Sequence, residues 1–174
     1  MKNRFPALMV LIALILSGCA SALSKEALMG ADRTLTVDAT QSSPDKHSGK
    51  KVVWGGVILS SENLENTTEI EVLETPLSYD DAPAEAEVKV SRGRVIIEAP
   101  GYLDTAIYKI EARITVSGVI KGIVKKKLGR MEYGFPVITP VELKLFPVPP
   151  KVVYYYGYPY PARPYPYQYP YGTE

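Results

Sequence analysis

The stretch from Tyr108 to Val124, which reads YKIEARITVSGVIKGIV, decides the fold. Small or apolar residues fill every second position, namely Ile110, Ala112, Ile114, Val116, Gly118 and Ile120, and Glu111, Arg113, Thr115, Ser117 and Lys121 lie between them. An alternation of period two is typical of a β-strand with one buried face. Because a typical strand has only about 5–6 residues, this stretch predicts an unusually long strand. Gly118 and Gly122 lie where such a strand could bend around a barrel corner.

The flanking sequence also consists of strand-like runs separated by turn residues. These runs are Val52–Leu59, Thr68–Glu74, Arg94–Glu98, Met131–Val137 and Val141–Leu145. The pair Gly55-Gly56 predicts a bulge or a close backbone approach. No part of residues 51–147 has the periodicity of a long amphipathic helix. Five to six short strands predict an all-β fold, a small antiparallel barrel or a sandwich. The long bent strand favours a curled barrel that resembles an OB-fold.

The N-terminus has the organisation of a secretory signal peptide. Met1–Arg4 carries two positive charges, an apolar run follows from Ala7 to Leu16, and small residues precede Cys19. A membrane-spanning helix needs about 20 apolar residues, roughly twice the length of this run. We therefore predict that residues 1–18 are removed.

The four residues Leu16-Ser17-Gly18-Cys19 resemble the lipobox of bacterial lipoproteins. The resemblance implies cleavage before Cys19 and attachment of a diacylglycerol to its sulfur, which would anchor the protein to a membrane. Cys19 is the single cysteine of the chain, so it has no disulfide partner within it. The residue after Cys19 is Ala20, not the aspartate that would resemble a signal for retention in the inner membrane. The outer membrane is therefore the expected location.

Length and charge indicate one domain and no nucleic-acid partner. The chain has 174 residues and a formal net charge of +1. Loss of residues 1–18 leaves 156 residues and removes Lys2 and Arg4, for a charge of about −1. No basic stripe of the kind that binds nucleic acid is present. Lys125–Lys127 are interpreted as a solvated hairpin turn, with contact to anionic lipid or polysaccharide as the alternative.

The organisation predicted for the mature chain is a lipidated polar tether over residues 19–50, a barrel domain over 51–147 and a tail over 148–174. Tyr154–Tyr171 contains nine tyrosines and five prolines. Proline removes backbone donors and fixes φ, so we expect a disordered, extended tail. Such a tail either has no dedicated partner or binds envelope proteins or polysaccharide.

Residues able to carry chemistry are sparse. His47 is the only histidine and is predicted to be a plain solvent-exposed residue, because a catalytic or metal-binding histidine usually has partners. Asp80, Asp81, Glu85 and Glu87 form an acidic cluster, interpreted as a solvated loop or else as a weak site for a hard cation. No nucleophile, phosphate-loop or zinc motif occurs. We therefore expect no enzyme activity, no cofactor and no metal.

Three residues are candidates for ligand binding. Trp54, beside Gly55-Gly56, could stack on a sugar or peptide, or it could pack in the core over the glycines. Asp104 follows Tyr102 and Leu103 and could be a polar group in a binding face or the cap of a turn. Clustering of Trp54, Tyr102 and Asp104 at one rim of the barrel would favour a ligand-binding role.

Residues 45–147 resemble the Slp family of outer-membrane lipoproteins. The matching segments are Gly49–Ile58, Glu62-Asn63, Thr68–Leu73, Pro76-Leu77, Ser91–Arg94, Gly101–Asp104, Tyr108, Ile114–Gly118, Gly122, Gly129, Glu132-Tyr133 and Phe135–Ile138. The resemblance implies an outer-membrane lipoprotein. Some members of the family are associated with starvation, stationary phase or acid stress. The resemblance provides no catalytic site. We expect a non-enzymatic structural or interaction module of the envelope. The alternative is a periplasm-facing lipoprotein that holds an oligosaccharide, peptide or lipophile.

Overall fold

The computed structural model of the chain describes residues 21–84, 90–146 and 148. Three short helices come first, α1 (Lys25–Leu28), α2 (Val37–Ser42) and α3 (Pro44–His47). Five strands follow, β1 (Lys51–Asn63), β2 (Thr67–Glu74), β3 (Arg94–Pro100), β4 (Arg113–Leu128) and β5 (Met131–Phe146).

The strands form a closed barrel in the order β1-β2-β3-β5-β4, closed by pairing between β1 and β4. This five-stranded Greek-key arrangement confirms the predicted all-β, OB-like barrel. The barrel is not entirely antiparallel, because β3 and β5 pair in parallel at Ile96–Val137 and Ile97–Ile138. A closed ring with an odd number of strands cannot alternate direction throughout, so at least one pair must be parallel.

Branched aliphatic side chains fill the interior of the barrel. The largest fully buried side chains are Ile58, Ile70, Ile97, Ile114, Ile120 and Ile138, each at most 1% exposed. Burying one such side chain contributes about 1.5–3 kcal/mol. The interior is therefore a packed core, supplied by the inward positions of every strand.

The long strand β4 begins later than its sequence pattern predicts. Glu111 has a φ of 71° and Ile110 is 62% exposed, so the chain turns here and β4 starts at Arg113. On the outer face of β4, Thr115 and Ser117 are completely buried. Their hydroxyls donate to the carbonyl oxygens of Asp81 and Ala27, at 2.6 and 2.5 Å. The polar positions of the alternation thus face covering chain segments rather than water.

Glycines allow the predicted close approaches and bends. A Cβ on Gly56 would lie 1.9 Å from the carbonyl oxygen of Leu73 across the β1–β2 pair. The β4–β5 register shifts at Gly118 and again before Gly122, which has a φ of +149°. These irregularities confirm that the long strand bends at its glycines.

The described part of the predicted tether, residues 21–50, is not a free spacer. Leu23, Ala27 and Val37 are 4%, 2% and 0% exposed. Leu23 and Ala27 pack against Val53 on the outer face of β1, and Val37 joins the barrel core. The few apolar residues of this polar segment therefore cover that face and close one end of the barrel.

The loop from Gly101 to Ala112 closes the other end. Leu103 and Tyr108 pack against the core, and the Leu103 amide donates to Thr68 Oγ1 at 2.9 Å. Val148, predicted as the first residue of the tail, also packs against the core. Residues 149–174, which contain the Tyr/Pro-rich stretch, lie outside the described residues.

Candidate functional site

Trp54 belongs to the core and to the wall of a cleft. Its side chain lies in β1, where the residue is 4% exposed, and Nε1 donates to the carbonyl oxygen of Leu35 at 2.8 Å. Because the indole donor is satisfied internally and the ring is buried, the contacts match the core-packing interpretation of Trp54.

Tyr102 and Asp104 lie at the opposite end of β1 from Trp54. Tyr102 comes two residues after Pro100, the last residue of β3, which pairs with Thr67 of β2. The next residue of β2, Thr68, pairs with Asn63 at the end of β1, so Tyr102 lies near that end. Nine residues separate Trp54 from Asn63 along β1, roughly 30 Å of strand. The three candidate residues therefore do not share one rim.

Asp104 caps a turn. Its Oδ1 accepts from the amide of Ala106 at 2.8 Å, and its carbonyl oxygen accepts from the amides of Ile107 and Tyr108, both at 2.9 Å. This hydrogen bonding is what an aspartate does in an Asx-turn. Tyr102 is 75% exposed.

A cleft of about 210 Å³ opens beside Trp54, between the N-terminal segment and the loop after β2. Arg33 and Leu35 form one wall, and Glu74, Pro76 and Leu77 form the other. Arg92 also lines it and pairs with the buried Glu74, Nη2 to Oε1 at 3.1 Å and the Arg92 amide to Oε2 at 2.9 Å. Typical small-molecule pockets have about 300–1,000 Å³, so this cleft suits at most a small polar group.

Asp81 departs from the prediction of a solvated acidic loop. It is 1% exposed, pairs with Arg33 and accepts a hydrogen bond from the Ser21 hydroxyl. Asp80 beside it is exposed, and the Ser78 hydroxyl lowers the pKa of its carboxyl. Glu85 and Glu87 lie outside the described residues. Across residues 21–84, 90–146 and 148, no group of His, Cys, Asp or Glu side chains could hold a metal ion.

Exposed apolar side chains gather at the end of the barrel that the Gly101–Ala112 loop closes. They are Leu64, Tyr102, Ile107 and Ile110, exposed by 49%, 75%, 56% and 62%. We call this set the apolar end. Beside it lies a shallow hollow of about 380 Å³, lined by Ser60, Ser61, Thr105, Tyr108, Lys109 and Ile110. The sequence does not reveal this feature, because Ile110 falls on the apolar parity of the predicted long strand.

The predicted basic turn and the lone histidine have ordinary surroundings. The β4–β5 hairpin turns between Leu128 and Met131, so Lys125–Lys127 lie in β4 just before the turn rather than in the turn itself. Within the hairpin Lys126 pairs with Glu69, and the Lys125 side chain is 71% exposed. His47 ends α3 and is half-buried rather than exposed, because that helix packs near β4.

The first described residues are attached tightly to the barrel. The Ser21 hydroxyl donates to Asp81, and the Ala22 amide donates to the carbonyl oxygen of Asp80 at 3.0 Å. Ser24 caps α1 by accepting from the Ala27 amide at 3.2 Å, and its own amide donates to Glu142 at 3.1 Å. Cys19 lies outside the described residues. None of the described helices is long and apolar enough to cross a membrane.

Comparison with protein families matches residues 16–172 to the Slp family, described as outer membrane lipoproteins. The chain belongs to the Slp family. Its match begins at Leu16, so it includes the lipobox-like segment as well as the barrel. This Slp-family protein is accordingly an outer-membrane lipoprotein, and membership implies attachment to the membrane through lipid.

Two relatives are similar to this chain. The chain is 31% identical over 128 residues to the uncharacterized lipoprotein YeaY of Escherichia coli, covering 72% of this chain and 64% of that protein. It is 37% identical over 89 residues to an uncharacterized protein of Haemophilus influenzae, covering 51% of this chain and 48% of that one. The chain thus spans about two thirds and about half of the lengths of these relatives.

Proposed function

We propose that this protein is a non-enzymatic interaction module, held at the outer membrane by acyl chains on Cys19 and offering the apolar end of its barrel to another envelope component. The observation that carries the proposal is the apolar end itself. Exposed apolar side chains gathered at one place on a protein mark sites of association, and Leu64, Tyr102, Ile107 and Ile110 are all 49% exposed or more. Since the barrel interior is already packed, a partner would bind on the surface.

The Slp resemblance adds a physiological proposal. Some members of the family are associated with starvation, stationary phase or acid stress, and we propose that this protein supports the envelope under such conditions. Polysaccharide or protein binding by the Tyr/Pro-rich tail is a further part of the same proposal, and it is tested by deleting residues 149–174.

The anchor is tested by fractionating cells that make wild-type protein or Cys19→Ala. We expect the wild type in the outer-membrane fraction with an intact mass that includes acyl chains, and the variant soluble or unprocessed. Identical fractionation of the two proteins without acyl mass would contradict lipid anchoring.

The interaction role is tested by photo-crosslinking from the apolar end in intact cells. A photoreactive amino acid placed at position 110 should capture a discrete partner. The control carries the same photoreactive amino acid at position 127, in the basic hairpin. Equal, diffuse labelling from both positions would contradict a binding role for the apolar end.

A ligand-binding function is the second candidate, favoured by the cleft beside Trp54 and its two arginines. Oligosaccharides, peptides and lipophiles are the ligand classes to test, by the shift in melting temperature of the purified protein. Because the cleft has about 210 Å³, only one residue or headgroup of such a ligand would enter. A ligand that raises the melting temperature equally in Arg92→Ala would not be binding there.

A further inference from the structure

The connection between the lipid-modified residue and the folded protein is very short. Cys19 is two residues before Ser21, and an extended chain spans at most about 3.6 Å per residue, or roughly 7 Å here. Ser21 is fixed to Asp81, and Ala22 is fixed to Asp80. The barrel surface at these residues is therefore held within about 7 Å of Cys19.

The attachment of this segment involves apolar packing as well as hydrogen bonds. Leu23 is 4% exposed and packs with Ala27 against Val53. The Ser24 amide donates to Glu142 at 3.1 Å. A segment held at four successive residues cannot work as a flexible spacer, so the orientation of the barrel at the membrane is restricted.

The surface beside Ser21 suits the lipid headgroup layer. Tyr79 precedes Asp80 and is 80% exposed. Tyrosine is enriched at membrane interfaces, because its ring is apolar and its hydroxyl is polar. The polar layer of each leaflet is about 5–8 Å thick, similar to the reach from Cys19 to Ser21.

We infer that the loop from Leu77 to Ala82 is the membrane-contact face of the barrel, with Tyr79 seated among phospholipid headgroups. The inference rests on the proposed lipidation of Cys19. The loop lies against the outer face of the β1–β4 pair, where the Thr115 hydroxyl donates to the carbonyl oxygen of Asp81 at 2.6 Å and Leu77 lies close to Gly55. In the ring β1-β2-β3-β5-β4, strand β3 lies across from that pair. Tyr102, which follows β3, therefore lies away from this loop.

The test uses single engineered cysteines in the acylated protein. Acylated Cys19 has its sulfur in a thioether, so an added cysteine is the only free thiol. Tyr79→Cys and Tyr102→Cys form a matched pair, since both side chains are tyrosines exposed by 80% and 75%. Each variant carries a fluorophore and is reconstituted into vesicles of phosphatidylcholine and phosphatidylglycerol, with or without lipid bearing a nitroxide on its headgroup.

We expect the nitroxide lipid to quench the label at position 79 several-fold more than the label at position 102. Equal quenching, or stronger quenching at position 102, in protein with acyl mass would overturn the inference while leaving lipid anchoring in place. Absence of acyl mass would overturn the proposed anchoring and, with it, the inference.

A spacer variant provides an independent check without changing any described contact. Ten Gly/Ser residues inserted after Ala20 add an average reach of about 17 Å. Acyl mass and vesicle binding should be retained, and quenching at position 79 should fall toward the value at position 102. Undiminished quenching at position 79 would overturn the role of the short connection in seating this loop.

Discussion

At the scale of single residues, hydroxyl groups lower the pKa of three aspartates, Asp32, Asp38 and Asp80. The Thr34 hydroxyl is the main cause of the lowered pKa of Asp32, followed by the Thr34 amide. The Thr36 hydroxyl similarly lowers the pKa of Asp38. In each case the hydroxyl is two residues away from the aspartate in the chain. The hydrogen bond therefore favours the charged form of the carboxyl within a local turn or helix end.

These pKa shifts predict that the protein loses stability in acid. A carboxyl whose folded pKa lies below its ordinary 3.8 stabilises the native state above that value, and the contribution disappears as the pH falls through the folded pKa. The urea midpoint should therefore decrease from pH 5 to pH 2, and Asp32→Asn should make the decrease shallower. An unchanged slope in Asp32→Asn would contradict the assignment.

Asp81 shows how a residue acquires its role from distant partners. It lies in an acidic stretch of the sequence, but the fold buries it between Ser21, 60 residues away, and Arg33, 48 residues away. Its φ of 65° is one that aspartate tolerates better than most residues. A buried carboxylate needs such partners, and local sequence does not reveal them.

At the scale of elements, the Gly101–Ala112 loop is tied to β2 through Thr68. The Thr68 residue is completely buried, and its Oγ1 accepts from the Leu103 amide at 2.9 Å. The same oxygen lies 2.7 Å from Asn63 Oδ1 and 3.1 Å from the carbonyl oxygen of Gly101. This one hydroxyl connects the β1–β2 turn with the loop that presents the apolar end.

Thr68→Val should therefore destabilise the protein by about 1–3 kcal/mol, because the Leu103 amide loses its acceptor at this buried position while the shape is nearly preserved. Thr67→Val, at the half-buried neighbouring position, is the control and should change stability little. Urea unfolding measures the difference, and hydrogen exchange should be faster at the Leu103 amide. Equal stability of the two variants would show that the hydroxyl does not hold the loop.

At the scale of the whole molecule, the N-terminal segment and the barrel fold as one unit. Residues 21–31 cover the outer face of the β1–β4 pair, and α2 closes one end of the barrel with Val37. The membrane-contact face and the apolar end are consequences of this arrangement. Both belong to one folded unit rather than to domains joined by a linker.

This unity predicts that Leu23→Ala lowers the free energy of unfolding by about 2–5 kcal/mol, the usual cost of removing a buried leucine side chain. Leu64→Ala is the matched control, because Leu64 is 49% exposed at the apolar end, and its cost should be below about 1 kcal/mol. Urea unfolding compares the two. Similar small effects would mean that the N-terminal segment is a loose spacer after all.

The amino-acid sequence alone determined the features that depend on local pattern. The alternation around Ile114 and Val116 and the glycines at 55, 56, 118 and 122 predict a bent, all-β barrel, because strand periodicity and close backbone approach are visible within one segment. Leu16–Cys19 and the segments shared with the Slp family similarly predict an outer-membrane lipoprotein.

Only the tertiary structure decided which surfaces are covered and which remain open. In the sequence, Leu23 belongs to a polar segment, and Asp81 and Ser117 occupy positions expected at the surface. Each is nevertheless buried by contacts between chain segments far apart in sequence. The sequence allows Trp54 and Tyr102 to share one rim, yet Trp54 lies near the start of β1 and Tyr102 follows β3 at the opposite end of the barrel. Burial depends on which strands become neighbours in the closed ring, and that pairing is a property of the whole chain.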